Sequence, residues 1–306
     1  MKLKIPTARI IAKTLLVGVL ALNGIGYTVA YTITHYKSSH RLDIGIGRSQ
    51  NYNSPRDFDL EYKTHKIPVA DDGWLDSWFI KSNAKSQGVV ILFHGKDSNK
   101  SSLLAAARIF HQLHYNTLLV DFRGAGNSSG DTTTIGIEEA KDVVAAIDYL
   151  PQLNIQQPPI LYGISMGSAA ILRAVAKEQI QPKAIILELP FSSLLSAVRI
   201  RLANAALPPS PMAELIVFWG GVQHGFNGFA HRPVEYAEAV NCPTLVMVGK
   251  RDRSVNLKAV NILYKNLSVP KEMVVFPEAG HEILASSNPK LWRQAIKAFL
   301  QAIVDV

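Results

Sequence analysis

Leu161-Tyr162-Gly163-Ile164-Ser165-Met166-Gly167-Ser168 is the stretch from which the rest of the chain is best read. Gly163 to Gly167 fits Gly-x-Ser-x-Gly, the pattern of a strained strand-to-helix turn that presents a serine hydroxyl at its tip. A side chain at either glycine would crowd so tight a reversal. The pattern occurs twice, however: Gly126-Asn127-Ser128-Ser129-Gly130 matches as well. Pro159-Ile160-Leu161-Tyr162 precedes Ser165 as a short buried-strand run, and residues 168–176 follow as a strong helix former with apolar residues on a helical period. Ser128 instead lies among Gly, Asn, Ser, Asp and Thr, the composition of a polar loop. Context therefore selects Ser165 as the nucleophile, on an elbow framed by Gly163 and Gly167.

On either side of this elbow, short apolar runs alternate with helical patterns. Strands are expected at residues 60–67 and 75–80, joined by an Asp71-Asp72-Gly73 turn, and then at 89–93, 117–121, 159–163, 184–189, 244–248 and 273–276. Helices are expected at 101–114, 134–150, 166–178, 257–267 and 289–303. This alternation predicts an α/β fold: a mostly parallel central sheet covered by helices on both faces. One interval breaks it. Residues 192–240 separate two strands by far more than an ordinary connection, carry apolar clusters and Pro208, Pro209 and Pro211, and are expected to form a helical cap over the site.

A serine nucleophile needs a base, and the base needs an acid to fix its tautomer. The acid and then the histidine are expected to follow an elbow of this kind in the chain. Asp252, in Gly249-Lys250-Arg251-Asp252, is the sole aspartate between Ser165 and His281 and follows a strand. The alternative is a solvated loop carboxylate paired with Arg251 or Arg253. His281, in Glu278-Ala279-Gly280-His281, falls between the last strand and the last helix, whereas His224 and His231 fall inside the insertion. For the oxyanion, the backbone N–H of Met166 opens the helix after the serine. The second donor is expected from the loop His94-Gly95-Lys96, as the N–H of Lys96, with His94 organising the loop by hydrogen bonding.

These residues together resemble the α/β-hydrolase superfamily, closest to its monoacylglycerol-lipase-like and serine-aminopeptidase-like branch, which shades into prolyl-oligopeptidase-type catalytic domains. The resemblance covers roughly residues 60–303. It rests on Phe93-His94-Gly95, the stretch from Asp121 to Gly130, the elbow, Gly249 to Asp252, and Gly280-His281. It identifies the Ser128 stretch with the family's loop after the fourth strand. The chain departs from the His-Gly-Gly-Gly oxyanion loop of many lipases, and serine at the elbow argues against the haloalkane dehalogenase-like chemistry that the family carries out with aspartate. The resemblance implies ester hydrolysis through an acyl-enzyme. An exopeptidase with the same triad would add a carboxylate for the substrate amine, for which Glu188 or Glu214 is available. A non-catalytic binding protein on the same fold is the third reading.

The N-terminus is of another kind. Residues 14–33 contain no charge, enough for a bilayer-spanning helix, which needs about 20 mostly apolar residues. Lys2, Lys4, Arg9 and Lys13 precede the run while Lys37 and Arg41 follow it, which orients the N-terminus to the cytoplasm and the rest of the chain outside. A cleavable signal peptide ending near Thr28-Val29-Ala30 is the rival, but the apolar stretch exceeds the ~7–15 residues usual for one. The expected organisation is thus a cytoplasmic stub and signal-anchor at 1–37, a linker at 38–59, and a hydrolase domain at 60–306 with a cap at about 192–240.

Composition adds limits. The chain is 48% hydrophobic and 18% charged, which is globular in kind. Lysine and arginine exceed acidic residues by 32 to 24, yet no basic run interleaves with aromatics, so the excess fits an anionic membrane surface better than a nucleic acid. One cysteine, Cys242, excludes an intramolecular disulfide and a cysteine-based zinc site. No metal or organic cofactor is implied. The expected partners are a small acyl or lipid substrate and the membrane.

Overall fold

The computed structural model describes residues 8–36, 53–70 and 72–303. Lys2, Lys4, Lys37, Arg41, Asp71 and most of the linker at 38–59 lie outside the described residues.

In chain order the elements are α1 (Ala8–Thr34), β1 (Tyr62–Val69), β2 (Gly73–Ile80), β3 (Val89–Phe93), α2 (Leu104–Gln112), β4 (Asn116–Val120), α3 (Glu139–Asp148), β5 (Ile160–Ile164), α4 (Met166–Glu178), β6 (Ala184–Glu188), α5 (Leu194–Asn204), α6 (Met212–His224), α7 (Pro233–Tyr236), β7 (Thr244–Gly249), α8 (Leu257–Asn266), β8 (Lys271–Phe276), α9 (Leu284–Ser287) and α10 (Pro289–Ala302). The eight strands form one sheet in the order β1-β2-β4-β3-β5-β6-β7-β8. β1 pairs antiparallel with β2, and β2 with β4; every other pairing is parallel. β3, β5, β6 and β7 are buried at every position, as strands covered on both faces must be. One core layer packs α3, α4 and α8 against the sheet, and the other packs α2 and α10. The order reverses around β3, with β4 on one side and β5 on the other. Such a switch opens a crevice at the carboxyl ends of the strands, where α/β sheets bind ligands.

Two helices differ from expectation for local reasons. The helix expected from residue 134 begins at Glu139. The Thr133 and Thr134 hydroxyls donate to the Glu139 carboxylate at 2.6 and 2.7 Å, and the Gly136 N–H joins them at 2.8 Å. The chain wraps this buried side chain, and Ile135 takes a left-handed φ of 58° that no helix continues. The helix expected from residue 101 starts instead as a 3-10 turn, Lys100–Leu103, capped by the Asn99 side chain.

The long insertion divides. α5 and α6 pair with each other above the carboxyl ends of the strands, but α7 packs on α4 and α8. Tyr236, Ala237 and Val240 belong to the sheet's own core. The chain therefore returns to the body earlier than residue 240.

α1 is 27 residues long and is the one described helix long and apolar enough to cross a membrane. Residues 8–22 are exposed throughout, and from Asn23 onward the helix docks on α6. Trp219 Nε1 donates to Asn23 Oδ1 at 3.2 Å, and Gln223 Nε2 donates to the Tyr27 carbonyl at 3.0 Å. Gly26 lets the helices approach closely, since a Cβ there would lie 2.8 Å from Leu215 Cβ. Backbone hydrogen bonds stitch the end of α1 to the body: Thr133 N–H to Thr34 O at 2.8 Å, and Tyr36 N–H to Asp131 O at 2.7 Å.

Candidate active site

Ser165 sits between β5 and α4 with φ 52° and ψ −104°, a strained backbone that costs about 1–3 kcal/mol. The elbow is held by close packing. A Cβ on Gly163 would lie 2.5 Å from the Gly167 carbonyl carbon, and one on Gly167 would lie 2.6 Å from the Phe93 carbonyl oxygen. The Ser165 N–H donates to Glu188 O at 2.8 Å, and Ser168 Oγ donates to Gly163 O at 2.6 Å.

Three separate strand ends converge there. His281, in the loop after β8, places Nε2 3.2 Å from Ser165 Oγ and Nδ1 2.7 Å from Asp252 Oδ2. A carboxylate only accepts, so Nδ1 carries the imidazole proton and Nε2 is left to accept from the serine hydroxyl. Asp252, in the loop after β7, is itself oriented, because Oδ1 accepts from the Ser254 and Val255 N–H groups at 2.7 and 2.9 Å. Arg251 pairs with Glu278 rather than with Asp252. The His281 and Asp252 side chains are almost wholly withdrawn from solvent, which strengthens their interaction.

Met166 and Lys96 line the same cavity as Ser165. Met166 opens α4, so its N–H is among the first-turn donors that no helix carbonyl satisfies. His94 is fully buried; burial lowers its pKa, and the ring bridges the loop by donating from Nδ1 to Gly95 O at 2.7 Å while Nε2 accepts from Phe122 N–H at 3.0 Å. Lys100, which sequence reasoning missed, anchors this loop from below. Its Nζ reaches Asp76 and Asp121 at 2.5 Å each, inside the protein. A lysine in a polar loop carries no periodic signal that would have revealed this burial.

The remaining candidates fall elsewhere. Ser128 donates from Oγ to Asp121 O at 2.7 Å and accepts from Asp76 N–H at 2.8 Å, within the loop after β4. His231 is buried and bonds Ile135 O at 3.1 Å; burial and then Arg173 push its pKa down to about 3. His224 ends α6 and stacks on Phe226. Cys242 is buried, which pushes its thiol up to about 12. Glu188 is sealed in the core beneath the site, accepting from Tyr162 Oη, Leu284 N and Trp292 Nε1 at 2.7, 2.8 and 2.9 Å. Glu214 pairs with Arg199 on the outside of the insertion. Neither glutamate lines the cavity.

That cavity, about 560 Å³, is lined mainly by aliphatic side chains from α5, α6 and α1. Its polar lining residues are Ser165, Lys96, Arg201 and Ser210. Lys96 pairs with Asp97 at 2.6 Å. Among the described residues no aspartate or glutamate lines it, and no cluster of His, Cys, Asp and Glu is arranged to hold a metal.

Residues 84–216 match the family described as Serine aminopeptidase, S33, and residues 200–305 match the Dienelactone hydrolase family. Protein bem46 of Schizosaccharomyces pombe is 29% identical over 153 residues, 48% of this chain and 50% of that protein. Lysophosphatidylserine lipase ABHD12 of Macaca fascicularis is 20% identical over 238 residues, 72% of this chain and 57% of that one. The matches thus span about half the length of these two relatives. An esterase from Pyrococcus furiosus superposes with a TM-score of 0.69 at 23% identity, covering 84% of this chain and 97% of that one. Sheet order, sequence families and structural likeness agree: the chain has the α/β-hydrolase fold, and its family matches support membership of the α/β-hydrolase superfamily.

Proposed function

We propose that the chain is a membrane-anchored serine hydrolase that cleaves a carboxylic ester, with a lipid or other acyl ester as substrate. The observation that carries this reading is the continuous hydrogen-bonded line from Ser165 through His281 to Asp252 at the floor of an apolar cavity. In this reading His281 Nε2 takes the proton as Ser165 Oγ attacks the acyl carbon, while Asp252 stabilises the imidazolium. The N–H groups of Met166 and Lys96 hold the oxyanion, and one such donor is worth about 3–4 kcal/mol in the transition state. His281 then protonates the departing alcohol. Water, deprotonated by the same nitrogen, attacks the acyl-enzyme, releases the acid and restores Ser165.

Charge in the cavity supports an ester over an aminoacyl substrate. An aminopeptidase site must bind an ammonium group, and the charged lining residues here, Lys96 and Arg201, are cationic. Arg201 lies close enough to Asp252 and Asp97 for both to raise its pKa, although burial lowers it more. A cation there suits an anionic group near the ester. Single-chain anionic lipids, the class named for the lysophosphatidylserine lipase relative, are therefore the first to assay.

The proposed organisation is an anchor in α1, a linker, and a hydrolase domain capped by α5 and α6. Arg9 and Lys13 at the start of α1 support a cytoplasmic N-terminus and an extracytoplasmic domain. The test is fluorophosphonate labelling of the full chain beside Ser165→Ala and His281→Ala, followed by acyl esters run against aminoacyl amides. Labelling lost in both variants, with esters turned over faster, is the expected result. Labelling that persists in Ser165→Ala would remove the nucleophile.

A further inference from the structure

α1 carries two adjoining stripes. Asn23, Gly26, Ala30 and Thr34 form the docked edge: Gly26, Ala30 and Thr34 are buried, and Asn23 takes the hydrogen bond from Trp219. One residue out of step with them, Leu22, Ile25, Val29 and Ile33 line the cavity that contains Ser165. Their spacing of three, four and four keeps them on one helical face, about 16 Å from end to end at ~1.5 Å per residue. The anchor is thus a wall of the active-site cavity as well as a tether.

The cavity opens where this wall meets the segment between α5 and α6. Leu22, Ile25 and Leu207 all line it and are yet 40%, 50% and 53% exposed, as residues at a mouth are. The height of that mouth follows from helix length. Residues 8–21 stand clear of α6 and amount to about 21 Å, short of the ~30 Å hydrocarbon core. A bilayer crossed by α1 must take its last ~9 Å from the docked half, which sets the far boundary near Tyr27 and Tyr31. Both tyrosines are exposed, as aromatic residues at a membrane interface are. Counting from Lys13 instead moves that boundary further along, toward Ile33. Leu22 and Ile25 lie within the hydrocarbon on either count. α6 turns exposed Phe218 and Val222 outward alongside, one helical turn apart.

We propose that this cavity is an acyl-chain channel walled by the anchor helix and entered from within the membrane, so that the substrate is a membrane-resident acyl lipid whose chain slides in laterally along α1. The proposal rests on the serine-hydrolase reading above, and it makes α1 a determinant of acyl-chain specificity. A tryptophan at Ile25 or Val29 would obstruct the channel while leaving the triad in place. One methylene in an apolar pocket is worth about 10-fold or more in kcat/KM, so losing room for several should be conspicuous.

Two measurements on the full-length chain in nanodiscs test it. In the wild type, a dodecyl fluorophosphonate bearing a diazirine near its chain end should label Ser165 and, on illumination, crosslink within residues 22–33. In Ile25→Trp and Val29→Trp, the ratio of p-nitrophenyl dodecanoate to p-nitrophenyl butyrate turnover should fall by at least about tenfold. Leu16→Trp, on the exposed part of α1, should keep the wild-type ratio. Labelled Ser165 with crosslinks confined to other elements, or an unchanged ratio in both channel variants, would overturn the channel and leave the hydrolase standing. No labelling of Ser165 in the wild type would overturn both.

Discussion

Replacing Glu188 by glutamine tests how the floor of the site is held. This carboxylate is fully buried, and burial raises its pKa from 4.5 to about 7 despite donors from Tyr162, Leu284 and Trp292. Between those values the folded protein keeps a proton that the unfolded chain has released. Its contribution to stability is therefore full below about pH 4.5 and is lost as pH rises to about 7. At about 1.4 kcal/mol per pH unit the loss totals roughly 3 kcal/mol. His231 acts in the opposite sense. Its imidazole, held at about 3 against an ordinary 6.5, makes stability rise with pH between those values. The two slopes oppose each other in the wild type between about pH 4.5 and 6.5, and Glu188→Gln removes the falling one. The amide brings two N–H donors where the protonated acid brings one O–H, to a site that already holds three donors, adding a pH-independent cost of about 1–3 kcal/mol. The difference in slope is therefore the quantity to measure. Equilibrium urea unfolding in detergent, followed by tryptophan fluorescence to which the buried Trp292 contributes, gives it from about pH 4.5 to 8. The variant should gain roughly 3 kcal/mol relative to the wild type across that range. Parallel curves would refute the assignment of a proton to Glu188.

Two further substitutions separate chemistry from scaffolding. Asp252→Asn keeps an oxygen for the Ser254 and Val255 N–H groups but no longer fixes the tautomer of His281; kcat on an ester should fall by about 10⁴-fold with melting nearly unchanged. Ser128→Ala loses the hydroxyl that joins Asp121 O to Asp76 N–H, and should cost about 1–2 kcal/mol in urea unfolding while fluorophosphonate labelling stays at the wild-type level.

Ser165, Asp252 and His281 were legible because each follows a strand, and strand ends are marked by a change of period that a single sequence displays. The elbow was legible for a steric reason, since backbone atoms approach Gly163 and Gly167 too closely for any side chain. Less was legible where burial does not follow period. Lys100 and Glu139 carry no periodic signal of burial, yet both are buried because fixed polar partners surround them. The return of α7 to the sheet depends on packing against α4 and α8, contacts remote in sequence. The lining of the cavity by α1 was hidden because an aliphatic stripe facing a cavity has the same composition as one facing lipid. Asn23 and Gly26 were the available signal: a polar side chain and a small residue in an apolar helix mark a packed face.

In the proposed membrane-anchored hydrolase, the stitching of α1 to the loop at Asp131–Thr133 and to α6 would have a kinetic consequence. A catalytic domain on a slack tether samples the solution around it, and its rate follows bulk substrate concentration. With α1 in a bilayer and hydrogen-bonded to the body along its docked half, the mouth of the proposed channel would keep one depth and one heading. In that proposed arrangement turnover would become a two-dimensional encounter, governed by the mole fraction of substrate in the enzyme's own leaflet, and lipid in a neighbouring vesicle would count only after it had exchanged across.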